Sequence, residues 1–281
     1  MPRLASFATS GAQPGPRQWA VVVVAAVVGL LVGSFLNVVV YRAPLGLSIS
    51  SPRSFCPTCD RQLAWWENVP LLSWLALRGR CHGCHEAISV RYPLVESATA
   101  VAFALVAWAW HGSALSAGYC VLAATAIAVG LIEFGGLRAP LWVGASGAGL
   151  GELLVAVAAI WLELWPVLAW SLVGLVVGTV VFGALRGLDP DAEDARWHGR
   201  TLLPVAGCWL GGIGGTGSAA GLLAGLAAWL LTEATCLAVV WADRRAGSGR
   251  TGWAASLRQV ASVPLASGAL VALVVSLWVA G

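Results

Sequence analysis

Four cysteines fall into two CxxC pairs, Cys56-Pro57-Thr58-Cys59 and Cys81-His82-Gly83-Cys84, with 21 residues between the pairs. Each pair turns tightly enough to aim both sulfurs at one point, and four thiolates complete a tetrahedral Zn²⁺ site. His82 and His85 flank the second pair; with four thiolates in place they read as solvated neighbours. Cys120, Cys208 and Cys236 stand singly in apolar runs and read as small packing residues. Zinc at Cys56, Cys59, Cys81 and Cys84 either staples a segment too small to build its own core or takes part in chemistry.

The setting of these cysteines is not that of a soluble module. The chain of 281 residues is 59% hydrophobic and only 10% charged, with a mean hydropathy of +0.82. A soluble domain carries about 25% charge, so this composition belongs in a bilayer. Residues 1–18, rich in Pro, Gly and Ala, read as a disordered lead. The apolar run 19–41 is long enough to cross about 30 Å of hydrocarbon, and it is longer than a cleaved signal core. Residues 42–92 form the only substantial polar segment and hold the cysteines. Further apolar spans follow at 93–111, 117–134, 139–159, 166–185, 201–215, 218–242 and 259–280. The expected fold is an all-α membrane protein of about eight transmembrane helices. A small cytoplasmic zinc-knuckle insertion (42–92) separates helix 1 from a seven-helix membrane domain (93–281).

Orientation follows from the cations. All 16 basic residues are Arg, with no Lys in the chain. With eight spans and the N-terminus outside, only Arg3 and Arg17 fall on the outer side, and the other 14 of the 16 fall on the inner side. Positive charge marks the cytoplasmic side, and the bias collapses if the span count changes by one. The cysteines are therefore expected in the cytoplasm, where thiols stay reduced and bind metal.

The polar segment and its flanks hold more than the cysteines. The first span closes on Gly33-Ser34-Phe35-Leu36-Asn37-Val38, with Arg42 beyond it. Next come Ser54-Phe55-Cys56, Glu67-Asn68-Val69-Pro70-Leu71-Leu72-Ser73 and Arg78-Gly79-Arg80-Cys81, and the stretch ends on Ile88-Ser89-Val90-Arg91-Tyr92-Pro93-Leu94-Val95-Glu96. This series resembles the N-terminal region of the type IV prepilin leader peptidases, bifunctional peptidases and N-methyltransferases of pilus assembly and type II secretion. The family pattern GSFLNVxxxR, SxCPxC, DNxPLLS, LRGRCxxC and ISxRYPxVE is met almost throughout residues 33–96. Glu67 stands in place of the family's Asp, and Asp60 in place of the Gly after the second cysteine.

The resemblance implies two aspartates near the cytoplasmic face, one at a span end and one in a GxGD motif with a Lys two residues later. Such chemistry needs a pair: one carboxylate ionised to activate water, the other protonated to assist the carbonyl. At the end of the third span the family's Asp is replaced by Glu133, in Ile132-Glu133-Phe134-Gly135-Gly136-Leu137-Arg138. Glu133 is either the first carboxylate or an interfacial acid paired with Arg138. For the second, Gly207-Cys208-Trp209-Leu210-Gly211 matches the family's Gly-x-Trp-Leu-Gly and fixes the register. The aspartate position then falls at Gly199-Arg200, where there is no carboxylate. Asp194, in the cluster Asp189, Asp191, Glu193 and Asp194, is the nearest candidate; alternatively the cluster is a solvated loop balancing Arg186, Arg196 and Arg200. Glu152 and Glu233 lie in apolar runs, where an Arg or a hydroxyl on a facing helix is the expected partner. Gly144, Gly147, Gly149 and Gly151 are expected to allow close helix approach.

By resemblance, the chain is an aspartic endopeptidase of the bacterial inner membrane that cleaves prepilin leader peptides at the cytoplasmic face and N-methylates the new terminus. Prepilin or pseudopilin substrates and the lipid bilayer are its implied partners, with no nucleic acid. Zn²⁺ and, for methyl transfer, S-adenosylmethionine are its implied cofactors. The alternative is a catalytically degenerate homologue, a non-proteolytic methyltransferase or a prepilin-binding assembly factor.

Overall fold

A computed structural model describes residues 15–187, apart from 111 and 136. Its long elements are helices: α1 (Pro16–Arg42), the short α2 (Leu72–Ala76), α3 (Arg91–Ala109), α4 (Leu115–Phe134), α5 (Leu141–Trp161) and α6 (Trp165–Gly187). No strand occurs among the described residues, only two isolated antiparallel bridges beside the cysteines. Four helices, α1, α3, α4 and α5, are long and apolar enough to cross a membrane. The all-α membrane class and the insertion between the first two spans are as expected. The expected spans 201–215, 218–242 and 259–280 lie outside the described residues.

Helix ends depart from the apolar runs by a few residues, for local reasons. Pro16 begins α1, its fixed φ and missing N–H costing nothing in a first turn. In α3, Pro93 is the third helical residue, where the backbone N–H has no intrahelical acceptor, so the helix starts before it at Arg91.

The tightest packing is between α1 and α3, on a small-residue ridge. A Cβ on Gly29 would stand 2.6 Å from Ala100 Cα, and one on Gly33 would stand 2.7 Å from Glu96 Cα. This four-residue spacing lets two helix backbones nearly touch. Between α4 and α5, Gly147 packs on Thr125 and Gly151 on Leu122, as expected, whereas Gly149 faces open space.

One core cluster joins Leu36, Val39 and Val40 of α1 and Val95 of α3 to Leu131 and Ile132 of α4 and Val143 of α5. The end of α1, the start of α3, the end of α4 and the start of α5 therefore share one end of the bundle. The cysteine-bearing segment springs from that end.

Candidate metal centre and membrane-end carboxylates

The two CxxC pairs form turns with the same hydrogen-bond pattern. In the first, Cys56 N–H donates to Arg61 O at 2.9 Å and Asp60 N–H to Cys56 O at 2.9 Å. In the second, Cys81 N–H donates to Glu86 O at 2.8 Å and His85 N–H to Cys81 O at 3.0 Å. Antiparallel bridges close both, Phe55 with Gln62 and Arg80 with Ala87. The residue after each second cysteine is left-handed, with φ of 53° at Asp60 and 58° at His85. Asp is among the residues that tolerate this region, which explains how Asp60 serves where glycine is the easier choice.

The paired turns bring together the four sulfurs that the spacing singled out. The ligand atoms of Cys56, Cys59, Cys81 and Cys84 all lie within 4.8 Å of one another, and the Cys56 and Cys84 sulfurs are 3.7 Å apart. Tetrahedral zinc with Zn–S bonds of about 2.3 Å requires sulfurs about 3.8 Å apart. Cys56 and Cys81 are buried.

The electrostatics are uneven. Backbone N–H groups of Cys84 and Gly83 pull the Cys81 thiol down to about 6, and those of Thr58 and Cys59 lower Cys56. For Cys84, the Glu86 N–H lowers the thiol, but burial and the Cys59, Cys81 and Cys56 sulfurs outweigh it and push the group up to about 12. Crowded sulfurs cannot all be anionic without a central cation, and a bound divalent metal removes that conflict. Distances and donor chemistry both fit a metal ion.

Around this centre the segment is tied by acids. Glu67 is buried, taking Arg61 Nη2 on Oε1 at 2.5 Å and the Ala64 N–H on Oε2 at 2.7 Å. The Arg61 hydrogen bond first, and the Ala64 N–H after it, hold its carboxyl below the ordinary range despite burial. The Glu for Asp replacement thus supplies a working ion pair. Asn68 Nδ2 donates to Ser54 Oγ at 3.2 Å, and Trp74 Nε1 to Ile88 O at 3.1 Å.

Sequence reasoning gave Glu96 no role, and the structure gives it one. Leu71 is the centre of a γ-turn, with φ of 61° and ψ of −49°, closed by Leu72 N–H on Pro70 O at 2.6 Å. This strained turn frees the Leu71 N–H, which donates to Glu96 Oε2 at 2.7 Å. Glu96 also packs on α1, its Cα standing 2.7 Å from where a Gly33 Cβ would be. Asn37 Nδ2 reaches both Gly33 O and Tyr92 O at 3.3 Å. Stretches 33–37, 67–74 and 88–96 therefore meet at one junction between insertion and spans. A buried acid within two turns of a span's start was the available signal.

Glu133 lies in the last turn of α4, which ends with Gly135 N–H on Leu131 O at 3.1 Å and Leu137 N–H on Ile132 O at 3.2 Å. Its backbone is at the same end of the bundle as the cysteine segment. Asp194, with the rest of its acidic cluster, lies outside the described residues, as do Gly199, Arg200 and Glu233. Glu152 of α5 has the facing hydroxyl that was expected: Ser171 Oγ of α6 donates to Oε1 at 2.7 Å, both residues being buried.

Known proteins are similar to this chain in sequence. A sequence model of the Bacterial Peptidase A24 N-terminal domain matches residues 27–110. The "Type 4 prepilin-like proteins leader peptide-processing enzyme" of Escherichia coli O78:H11 is 36% identical over 211 residues, covering 67% of this chain and 77% of that one. The chain belongs to the prepilin leader peptidase family. Another member, a "Prepilin leader peptidase/N-methyltransferase" from Pseudomonas putida, is 35% identical over 212 residues, 68% of this chain and 73% of its own. A Myxococcus xanthus member of the same name is 66% identical over 77 residues, which span 27% of this chain and only 23% of that relative. No solved structure matches the chain. Membership makes the four-sulfur turns and the Glu96 junction parts of a prepilin leader peptidase framework rather than of a separate metal module.

Proposed function

We propose that this protein processes prepilin-like substrates at the cytoplasmic face of a bacterial inner membrane, hydrolysing the leader peptide bond. The observation that carries this reading is the likeness to the leader peptide-processing enzyme over 77% of that relative's length. The framework end described above adds support, because Glu133 lies where the 42–92 insertion meets the bundle. The asymmetry of arginines supports a cytoplasmic insertion, with 14 of the 16 on one side of an eight-span chain.

In this reading Glu133 is one carboxylate of the hydrolytic pair and Asp194 the other. One, ionised, takes a proton from water as it attacks the scissile carbonyl; the other, protonated, hydrogen-bonds the carbonyl oxygen. Cys56, Cys59, Cys81 and Cys84 hold one Zn²⁺, which supplies a covalent cross-link for a segment with little core of its own. N-methylation of the product, with S-adenosylmethionine as methyl donor, belongs to the same reading through the relatives' names.

The competing reading is a family member that binds prepilins without cutting them. It is favoured by Gly199 and Arg200 standing where a GxGD aspartate is expected, and by the lack of any Lys. A cleavage assay on membranes holding the protein and a prepilin decides between them. Processing that disappears in Glu133→Ala and in Asp194→Ala is the result expected. No processing of any prepilin by metal-loaded protein favours the binding role. Elemental analysis is expected to find about one zinc per chain, lost in Cys56→Ser; metal-free but folded wild-type protein refutes the zinc assignment.

A further inference from the structure

We infer that Arg61, clamped by Glu67, is the outer cation of the four-sulfur centre, setting its metal affinity. The inference rests on the metal reading proposed above and deepens it.

Arg61 lies two residues past Cys59, on the returning arm of the first turn, and its carbonyl accepts the Cys56 N–H at 2.9 Å. Its guanidinium crosses to the second turn. A Cβ placed on Gly83 would stand 2.9 Å from Arg61 Nε, so position 83 must lack a side chain for the guanidinium to lie there. The same point is 3.8 Å from Cys59 Sγ, which puts the cation beside the cluster. Arg61 Nε is buried and has no hydrogen-bond partner among the described residues.

Glu67 fixes this arrangement from the other end. It holds Nη2 at 2.5 Å and is itself held by the Ala64 N–H at 2.7 Å. The cationic end of the pair is the end beside the cluster, since the Gly83 Cβ point lies near both Arg61 Nε and Cys59 Sγ.

A divalent ion in four thiolates carries a net charge of about −2, and outer N–H donors to metal-bound ligands are worth about 10–100-fold in affinity. A planar guanidinium suits this task better than an ammonium, because its fork can serve Glu67 and a sulfur together.

The test uses the full-length protein in detergent micelles, as wild type, Arg61→Met, Arg61→Lys and Glu67→Gln. Zinc affinity is read by chelator competition, and alkylation of each cysteine by N-ethylmaleimide with peptide mass spectrometry. Arg61→Met is expected to weaken zinc binding about 10-fold or more without speeding alkylation equally at all four cysteines. Arg61→Lys recovers part of the affinity, and Glu67→Gln falls between wild type and Arg61→Met. Zinc affinity of Arg61→Met within about twofold of wild type overturns the inference while leaving the metal reading intact. Equal acceleration at all four cysteines, with no rescue by Lys, also overturns it, since that is the pattern of a segment that merely opens. Wild-type protein that takes up no zinc overturns both.

Discussion

Leu71 donates its backbone N–H to Glu96 Oε2 at 2.7 Å, joining residues 25 positions apart. The donor sits in a strained turn of the insertion, and the acceptor is a buried acid of the second span, packed against Gly33 of the first. One residue thus pins the cysteine segment to two membrane helices. Glu96→Ala leaves the Leu71 N–H without its acceptor and is expected to cost about 1–3 kcal/mol. Glu96→Gln keeps an acceptor oxygen and is expected to cost less. Limited proteolysis between residues 43 and 90, with thermal unfolding in detergent, reads both effects. Equal stability of Glu96→Ala and wild type contradicts the assigned role.

The Arg61–Glu67 pair makes a pH prediction. The folded carboxyl lies below its ordinary value, chiefly because of the Arg61 hydrogen bond. A lowered acid contributes stability that is fully present above the unfolded value of about 4.3 and is lost as pH falls through the folded one. Wild type is therefore expected to exceed Glu67→Gln in stability by a constant margin at neutral pH. That margin shrinks only in the acid range, below about pH 4.3. A margin that instead narrows between pH 6 and 8 points to another group.

Gly33 and Gly149 form a matched pair of tests. A methyl on Gly33 meets the Glu96 backbone at 2.7 Å, whereas one on Gly149 meets nothing within 4 Å. Gly33→Ala is expected to lose about 1–3 kcal/mol as α1 and α3 are forced apart. Gly149→Ala is expected to be neutral or to gain up to about 1 kcal/mol from helix propensity. Thermal unfolding of the two variants side by side checks the contrast.

Ser171 and Glu152 are expected to be coupled. Ser171→Ala removes the only hydrogen bond that the described residues give to the Glu152 carboxyl, whose Oε2 already lacks one. The loss is expected at about 1–3 kcal/mol, because a buried acid is left unsatisfied in an apolar surround. In Glu152→Leu the same serine change should cost much less. A double-mutant cycle that shows simple additivity rejects the coupling.

Much of this protein was legible in its residues alone. Apolar runs located helices α1 and α3–α6 to within a few residues, because a bilayer imposes one length and one composition on anything that crosses it. The CxxC spacing singled out the four sulfurs, because two tight turns must each aim a sulfur pair at one point. Even the hydroxyl partner of Glu152 could be expected in kind, if not by name. Three features belonged to the tertiary structure. That Glu96 belongs to the Leu71 N–H, that Gly33 is reserved for the Glu96 backbone, and that Arg61 lies over Gly83 beside the sulfurs are contacts between segments that sequence distance does not rank. A pattern of residue types fixes which groups prefer burial or a turn. Which acid meets which donor is decided only when helices pack closely enough that a single methyl, as at Gly33, would separate them.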